Sequence, residues 1–478
     1  MSQKKFRTAD FCVIGAGSGG LSFAAGAVQM GASVILVERG KMGGDCLNYG
    51  CVPSKALIAA AKFRHEFNRS KCFGWSYKSA GVDFKKVHDH IHQVIGSIAP
   101  HDSEERFEKM GVKVINRKGY FSDKTTLETE SHKIQAKRYI IATGSSPFVP
   151  PIEGLQSISY YTNEIIFDLQ ELPNHLVVIG GGPIGLEMAQ AFRRLGSVVT
   201  VLEAFSALPK DDPEATAQLL QILRTEGIDL KEHVKITKIK KSNQGTQILY
   251  QDGIENTHTI TASHVLVATG RRPNIQELNL EAAGIDFTPK GIKVDRHLRT
   301  TNPRVYAIGD CTGGYQFTHV AGYHAGLVLR NSIFRLRTKV QTTAMPWVTY
   351  TDPELAHVGA LEEQLKIDKV SHKVLKFSFQ ENDRAQAERR TEGHIKILVT
   401  PKGQILGATI LSAHAGELIF PWVMAIQNRL KISAIVNTIA PYPTLSEVSK
   451  RVARTFYTDK VFGSHMNQLV KFVMKYTK

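Results

Sequence analysis

An α/β fold is predicted: two Rossmann-like dinucleotide-binding units followed by a separate α+β domain. Three observations predict it. The apolar run Phe11-Cys12-Val13-Ile14 reads as a buried parallel strand. It leads into Gly15-Ala16-Gly17-Ser18-Gly19-Gly20, whose glycines at 15, 17 and 20 have the G-x-G-x-x-G spacing. The same succession returns about 165 residues later, where Leu176-Val177-Val178-Ile179 is followed by glycines at Gly180, Gly182 and Gly185. Beyond Met345 the pattern changes to alternating segments such as His394–Val399 and a helix-like segment over 421–430.

In the first unit, a helix-like segment joins the glycine loop to a second strand, Ser33–Val37, which ends at Glu38. Glycines at these positions permit a tight turn, close backbone approach to a pyrophosphate and close helix packing, with helix N–H groups facing the phosphates. Glu38 stands where a carboxylate accepts hydrogen bonds from ribose hydroxyls. The stretch from Phe11 to Val37 carries no charge and follows Lys4, Lys5 and Arg7, so it imitates a signal peptide or a membrane span. Six glycines and Asp10 at its head favour the compact strand–turn–helix–strand, and neither a cleaved signal nor a transmembrane helix is expected.

The stretch Gly43–Lys55 (Gly-Gly-Asp-Cys-Leu-Asn-Tyr-Gly-Cys-Val-Pro-Ser-Lys) organises the rest of the chain. Pro53 suits the first turn of a helix, and the run Ala56–Ala61 favours helix strongly. A cysteine at that helix start feels the positive end of the dipole, which favours thiolate. On an ideal helix Cys46 and Cys51 would lie about 7.5 Å apart along the axis. A disulfide needs Cα atoms within roughly 7 Å, so the pair could bond only across an irregular turn, which Gly50 permits. Two readings stand here: a redox-active disulfide, or two unpaired buried cysteines. Zinc is disfavoured, because no other Cys or His lies nearby at ligand spacing, and no metal site is assigned.

The second fingerprint leads to Val198–Leu202 and Glu203. An acid there bonds a free ribose 2′-hydroxyl and repels a 2′-phosphate, which favours NAD(H) over NADP(H). Arg193 and Arg194, on the intervening helix, read as solvated. Two further strands end alike, at Thr143-Gly144 and at Thr269-Gly270. Pro147, Pro150 and Pro151 mark a linker after the first, and Arg271-Arg272-Pro273-Asn274 another after the second. Val305–Ile308 is one more strand, with Asp310 at its tip. The expected domains are 1–150 and 275–344 for one nucleotide unit, 151–274 for the other, and 345–478 for the C-terminal domain.

Five cysteines in 478 residues are too few for a secreted disulfide scaffold and fit a reducing, cytoplasmic setting. The net charge of +16 is spread widely, with no basic run interleaved with aromatics, so a nucleic-acid partner is not expected.

The sum of these motifs resembles the class I flavoprotein pyridine nucleotide-disulfide oxidoreductases, the family of dihydrolipoamide dehydrogenase, glutathione reductase and mercuric reductase. The resemblance runs from about Ala9 to Glu447 and includes Pro346–Gly359. It implies FAD on the first fingerprint, with Gly44, Thr143, Gly144 and Asp310 among its contacts, and NADH on the second, with Gly270 beside it. Hydride would pass from NADH to the flavin, and electrons would then open a Cys46–Cys51 disulfide that reduces a small disulfide or dithiol substrate. By the same resemblance Cys51 matches the flavin-side thiol, Cys46 the interchange thiol, Lys55 the lysine near the flavin, and Glu187 its partner. Cys12, Cys72 and Cys311 match no catalytic position and read as structural. His319 falls in a loop near the flavin or packs. A homodimer is implied, because Tyr442 and Glu447 would reach the disulfide from the other subunit.

The sequence departs from the family at Tyr442-Pro443-Thr444-Leu445-Ser446-Glu447, where the family has His-Pro-x-x-x-Glu. At pH 7 only about one unperturbed tyrosine in a thousand is a ready base. Three hypotheses follow: a disulfide or lipoamide reductase with compromised or rerouted proton transfer, a reductase of a metal ion, quinone or other small acceptor, and a non-catalytic dinucleotide-binding or redox-sensing protein. The tail 448–478 carries seven Lys/Arg against Asp459 alone, with Met466, Leu469, Val470 and Val473 at helical spacing. Such a helix docks on its own protein or dimer partner, or lies on an anionic membrane.

Overall fold

A computed structural model describes residues 4–76, 81–254, 256–462 and 464–476. By contacts the chain divides into two units, one running through Phe205 and resuming over Lys231–Val340, the other combining Ser206–Leu230 with Gln341 onward.

The first unit is built on the strand Lys5–Ile14, which pairs in parallel with Val34–Glu38 on one side and His132–Ile141 on the other. Lys113–Asn116 extends the sheet beyond Val34–Glu38. The antiparallel strands Thr126–Glu128 and Tyr120–Asp123 lie beyond His132–Ile141. The late strand Val305–Ala307 also returns to pair with His132–Ile141, in parallel. Alternation along the central strand sends Phe11 and Val13 into one core and Cys12 and Ile14 into another. With both faces covered, its inner half has no polar side and reads as an unbroken apolar run.

The second parallel layer, Val198–Leu202, His175–Ile179 and His264–Val267, repeats that plan. A three-stranded antiparallel sheet, Lys235–Ser242, Gly245–Gln251 and Thr257–Ala262, accompanies it. The two stretches read as linkers prove to be partners. Ser145–Pro147 pairs antiparallel with Arg271–Pro273, and the prolines are tolerated because the ribbon has only two strands.

The second unit folds around a five-stranded antiparallel sheet that includes His394–Val399 and Ile405–Ser412, with Trp422 and Phe379 in its core. The predicted helix near Pro421 is Phe420–Gln427. The segment Ser206–Leu230 joins this unit through polar contacts. Lys396 Nζ lies 2.8 Å from Asp212 and 2.6 Å from Glu362, and the Trp347 indole donates to Asp211 at 2.7 Å. Asp212, Glu214 and His394 place potential metal-ligand atoms within 4.8 Å of one another. Asp212 is engaged by Lys396 and by the N–H groups of Glu214 and Ala215, and Glu214 by Lys376, so the cluster is an ion-pair network. Among the described residues no helix is long and apolar enough to cross a membrane.

Candidate functional site

Both fingerprint loops close in the same way. Gly15 and Gly180 adopt φ of +106° and +115°, where a Cβ would lie 2.4 Å from the carbonyl oxygens of Ala142 and Ala268. A Cβ at Gly20 or Gly185 would lie 1.9 or 2.0 Å from the carbonyl oxygens of Gly15 and Gly180, so helix and loop are in contact there. The middle glycines differ in kind. Around Gly182 nothing lies within 4 Å of a built Cβ, and around Gly17 only the Gly44 Cα does, at 4.0 Å. These two positions keep open the space that a bound pyrophosphate needs.

The two acids at the strand ends act first on their own loops. Glu38 accepts from the N–H groups of Ala16 (2.5 Å) and Gly40 (2.6 Å), and Glu203 from those of Gly181 (2.5 Å) and Phe205 (2.8 Å). A carboxylate has about four lone-pair directions, so both keep capacity for a ribose hydroxyl. The role expected from sequence is therefore joined by a loop-fixing one.

The first fingerprint fits a flavin dinucleotide. The helix Ser18–Gln29 has no acid in its first turn to oppose a pyrophosphate. Gly44, with φ of +61°, approaches Gly17 so closely that a Cβ would lie 2.7 Å from its Cα. A cavity of about 330 Å³ opens beside Gly15, Glu38 and Thr143, with Arg117 and Arg272 in its walls. Thr143 donates to the Asn274 carbonyl at 2.7 Å, so the strand-end turns at 143–144 and 270–274 are tied together. Asp310 is held by Ser145 at 2.6 Å, and burial pushes its carboxyl above the ordinary value.

The cysteine stretch is two helices with a break between them, Gly44–Asn48 and Cys51–Arg69. Tyr49 and Gly50 form an irregular turn of the kind that a bond between the two cysteines would need, and Cys51 is the first residue of the long helix. Both sulfurs stand as thiols within hydrogen-bond reach of each other. Cys51 Sγ lies 3.5 Å from Thr318 Oγ1. The Cys46 S–H, the Thr318 hydroxyl and the Lys55 charge together draw the Cys51 thiol down to about 6. Cys46 is driven the other way, by its bond to Cys51 and by burial. The reduced pair therefore loses its first proton from Cys51 while Cys46 keeps its own.

Asp45, adjoining Cys46, escaped the sequence reading. Its Oδ1 accepts from Asn163 Nδ2 at 3.1 Å and lies 3.2 Å from Arg271 Nη2. Asn163 also donates to the Tyr49 carbonyl at 3.0 Å, and Arg271 Nε donates to Ser145 Oγ at 2.8 Å. One polar chain thus runs from Asp310 through Ser145, Arg271 and Asp45 to the turn between the cysteines. Asp45 lay in plain view in the cysteine stretch, but nothing in the sequence signalled Asn163 or Arg271 as its partners.

Lys55 Nζ meets Glu187 Oε2 at 2.8 Å, as the resemblance implied. Glu187 is buried, while Lys55 is half-buried and reaches it from the first turns of its helix. Changing Lys55 to Gln removes a cation beside Cys51 and raises the apparent pKa of the pair. If it climbs by about one, alkylation of the reduced protein at pH 6 slows about fivefold. A pH profile of iodoacetamide labelling checks this, and an unchanged profile would count against the role of Lys55.

Tyr442 and Glu447 belong to the second unit. The Tyr442 hydroxyl donates to Asp383 at 2.9 Å, and that bond to a carboxylate holds the phenol above its ordinary value. Glu447 opens the helix Glu447–Phe462 and pairs with Arg451 at 3.0 Å. Two further expectations, for Cys72 and Arg193, are corrected, and the choice left open at His319 is decided. Cys72 is exposed and so has no packing role, unlike Cys12 and Cys311. Of the two readings of His319 the packing one holds: it lies in the helix Thr318–Ile333 rather than in a loop, and stacks on Phe317. Arg193 is half-buried and donates to the Ser197 carbonyl at 3.3 Å, closing the end of its helix.

Comparison with known proteins agrees with this geometry. The family described as pyridine nucleotide-disulphide oxidoreductase matches residues 9–325, and its dimerisation domain matches 345–453. The chain belongs to this family. It is 35% identical over 458 residues to a mercuric reductase of Streptomyces lividans, covering 94% of this chain and 96% of that one. It is also 35% identical over 449 residues to a dihydrolipoyl dehydrogenase of Geobacillus stearothermophilus, covering 92% and 94%. Among solved structures, the Cu(II) complex of the HOCl-induced flavoprotein disulfide reductase RclA of Escherichia coli is similar with a TM-score of 0.83. That match has 28% identity and covers 92% of this chain and 99% of that one. LpdA of Mycobacterium tuberculosis is similar with a TM-score of 0.85 and 26% identity, covering 93% and 99%. The protein is thus an FAD-dependent pyridine nucleotide-disulfide oxidoreductase.

Proposed function

We propose that this oxidoreductase takes electrons from NADH and delivers them through Cys46 and Cys51 to a soft metal ion, in a homodimer. In this reading FAD is held by 1–150 and 275–344, NADH by 151–274, and the partner subunit by 345–478. Bound FAD supplies the relay between a hydride donor and the sulfur pair. NADH is favoured over NADPH because Glu203 is fixed by two backbone N–H groups at the strand end, where a 2′-phosphate would meet its charge.

The observation that carries the choice of acceptor is the Tyr442–Asp383 hydrogen bond. A phenol donating to a carboxylate is a poorer base at neutral pH than a free one. The residue in the histidine position therefore does not take the proton that Cys46 holds. A disulfide acceptor needs that transfer: RSSR, NADH and H⁺ give two RSH and NAD⁺. A metal ion does not, because binding itself displaces thiol protons: M²⁺ and NADH give M⁰, NAD⁺ and H⁺. Paired thiolates suit soft ions. The mercuric reductase relative and the copper complex of the structural neighbour support this reading. A second reading, reduction of a small disulfide such as lipoamide, is favoured by the retained Pro443 and Glu447 and by the dihydrolipoyl dehydrogenase relative.

Steady-state turnover with mercuric, cupric, lipoamide and quinone acceptors separates the two. Metal salts should give the highest kcat/KM. Changing Tyr442 to His should raise lipoamide turnover about tenfold or more without raising metal reduction. Lipoamide as the best acceptor of the natural protein would reject the metal reading.

A further inference from the structure

The last helix, Ser464–Tyr476, lies beyond the matched dimerisation domain, which ends at residue 453. At 3.6 residues per turn, Met466, Leu469, Val470, Phe472, Met474 and Tyr476 spread over an arc of about 200°. These six apolar side chains are between 38% and 73% exposed. Lys471 and Lys475 occupy the middle of the narrow polar face, flanked by Asn467 and Gln468. No Asp or Glu follows Asp459, while Lys460, Lys471, Lys475 and Lys478 do.

A helix docked on one protein surface shows an apolar stripe of about 100° or somewhat more, with polar residues opposite it. Twice that width leaves both flanks apolar beside any single protein contact. A lipid surface covers the whole arc at once, and lysines on the remaining face then lie among the headgroups. The helix is about 20 Å long, too short to span a bilayer. Its uncompensated positive charge complements an anionic surface.

We infer that Ser464–Tyr476 is an interfacial anchor that lies in the headgroup region of anionic phospholipid membranes. A homodimer carries two such helices, and their joint attachment strengthens a contact that is weak for either one.

Co-sedimentation of the full-length, FAD-loaded protein with vesicles tests this. The vesicles are phosphatidylglycerol mixed with phosphatidylcholine, or phosphatidylcholine alone. Binding to the anionic vesicles should be about tenfold tighter or more, and should weaken as salt is raised. The pair Leu469→Glu and Phe472→Glu should lose vesicle binding while NADH oxidation in solution and the thermal transition stay unchanged. The pair Lys471→Glu and Lys475→Glu should lose the preference for anionic lipid. Equal sedimentation of the natural protein and the Leu469→Glu/Phe472→Glu variant would overturn the inference. So would absence of vesicle binding together with a changed oligomeric mass in that variant, which would assign the face to a second copy of the chain.

Discussion

Cys51→Ser will abolish NADH-driven reduction of metal and disulfide acceptors alike, with a loss of about a thousandfold or more. Several features of the fold converge on this one sulfur. It begins a 19-residue helix, it takes hydrogen bonds from the Cys46 S–H and the Thr318 hydroxyl, and it feels the Lys55 charge. Together they draw its pKa to about 6, so most of the pair is singly ionised at neutral pH. A serine hydroxyl keeps the bond to Thr318 but is not ionised at neutral pH and cannot close a bond to Cys46. FAD content and fold should be retained, because the side chain is exposed in the chain itself. Stopped-flow assay of the purified variant, with flavin content measured in parallel, checks the result. Substantial residual turnover would show that electrons bypass the cysteines.

Gly182→Val should raise the KM for NADH about a hundredfold or more while leaving flavin content and thermal stability unchanged. The backbone there has φ −76° and ψ 178°, which valine adopts without strain, and a Cβ meets nothing within 4 Å. Whatever the valine obstructs is therefore absent from the folded chain and present in the complex. Gly185→Val makes the contrast. Its Cβ would sit 2.0 Å from the Gly180 carbonyl, so this change should lower the thermal transition by damaging the fold. Calorimetry beside NADH titration separates the two effects. A destabilised Gly182→Val with normal NADH affinity would contradict the assignment of the second fingerprint.

Local signals served the sequence well where the chain's constraints are local. The strand after Asp10 and its counterpart before Gly180 are buried on both faces, so they read as apolar runs. The glycines at 15, 20, 180 and 185 are fixed by contacts with their own loops or adjoining strands. A bond between Cys46 and Cys51 would need an irregular turn between them, and the chain has one at Tyr49-Gly50. What depends on distant segments was not legible. The ribbon between Ser145–Pro147 and Arg271–Pro273 joins stretches whose prolines signal only interruption. The hold of Asn163 and Arg271 on Asp45 depends on tertiary placement. So does the placement of the Asp383 carboxylate that accepts the Tyr442 hydrogen bond. Its effect reinforces the sequence argument, because a tyrosine already poor as a base becomes poorer.

Counting thiols tests the path through sulfur most directly. The chain has five cysteines. The air-oxidised, FAD-loaded protein, quenched in denaturant with an alkylating agent, should label at Cys12, Cys72 and Cys311 alone. After one equivalent of NADH under anaerobic conditions, Cys46 and Cys51 should label as well. A label count that NADH leaves unchanged would mean that the pair never carries the electrons.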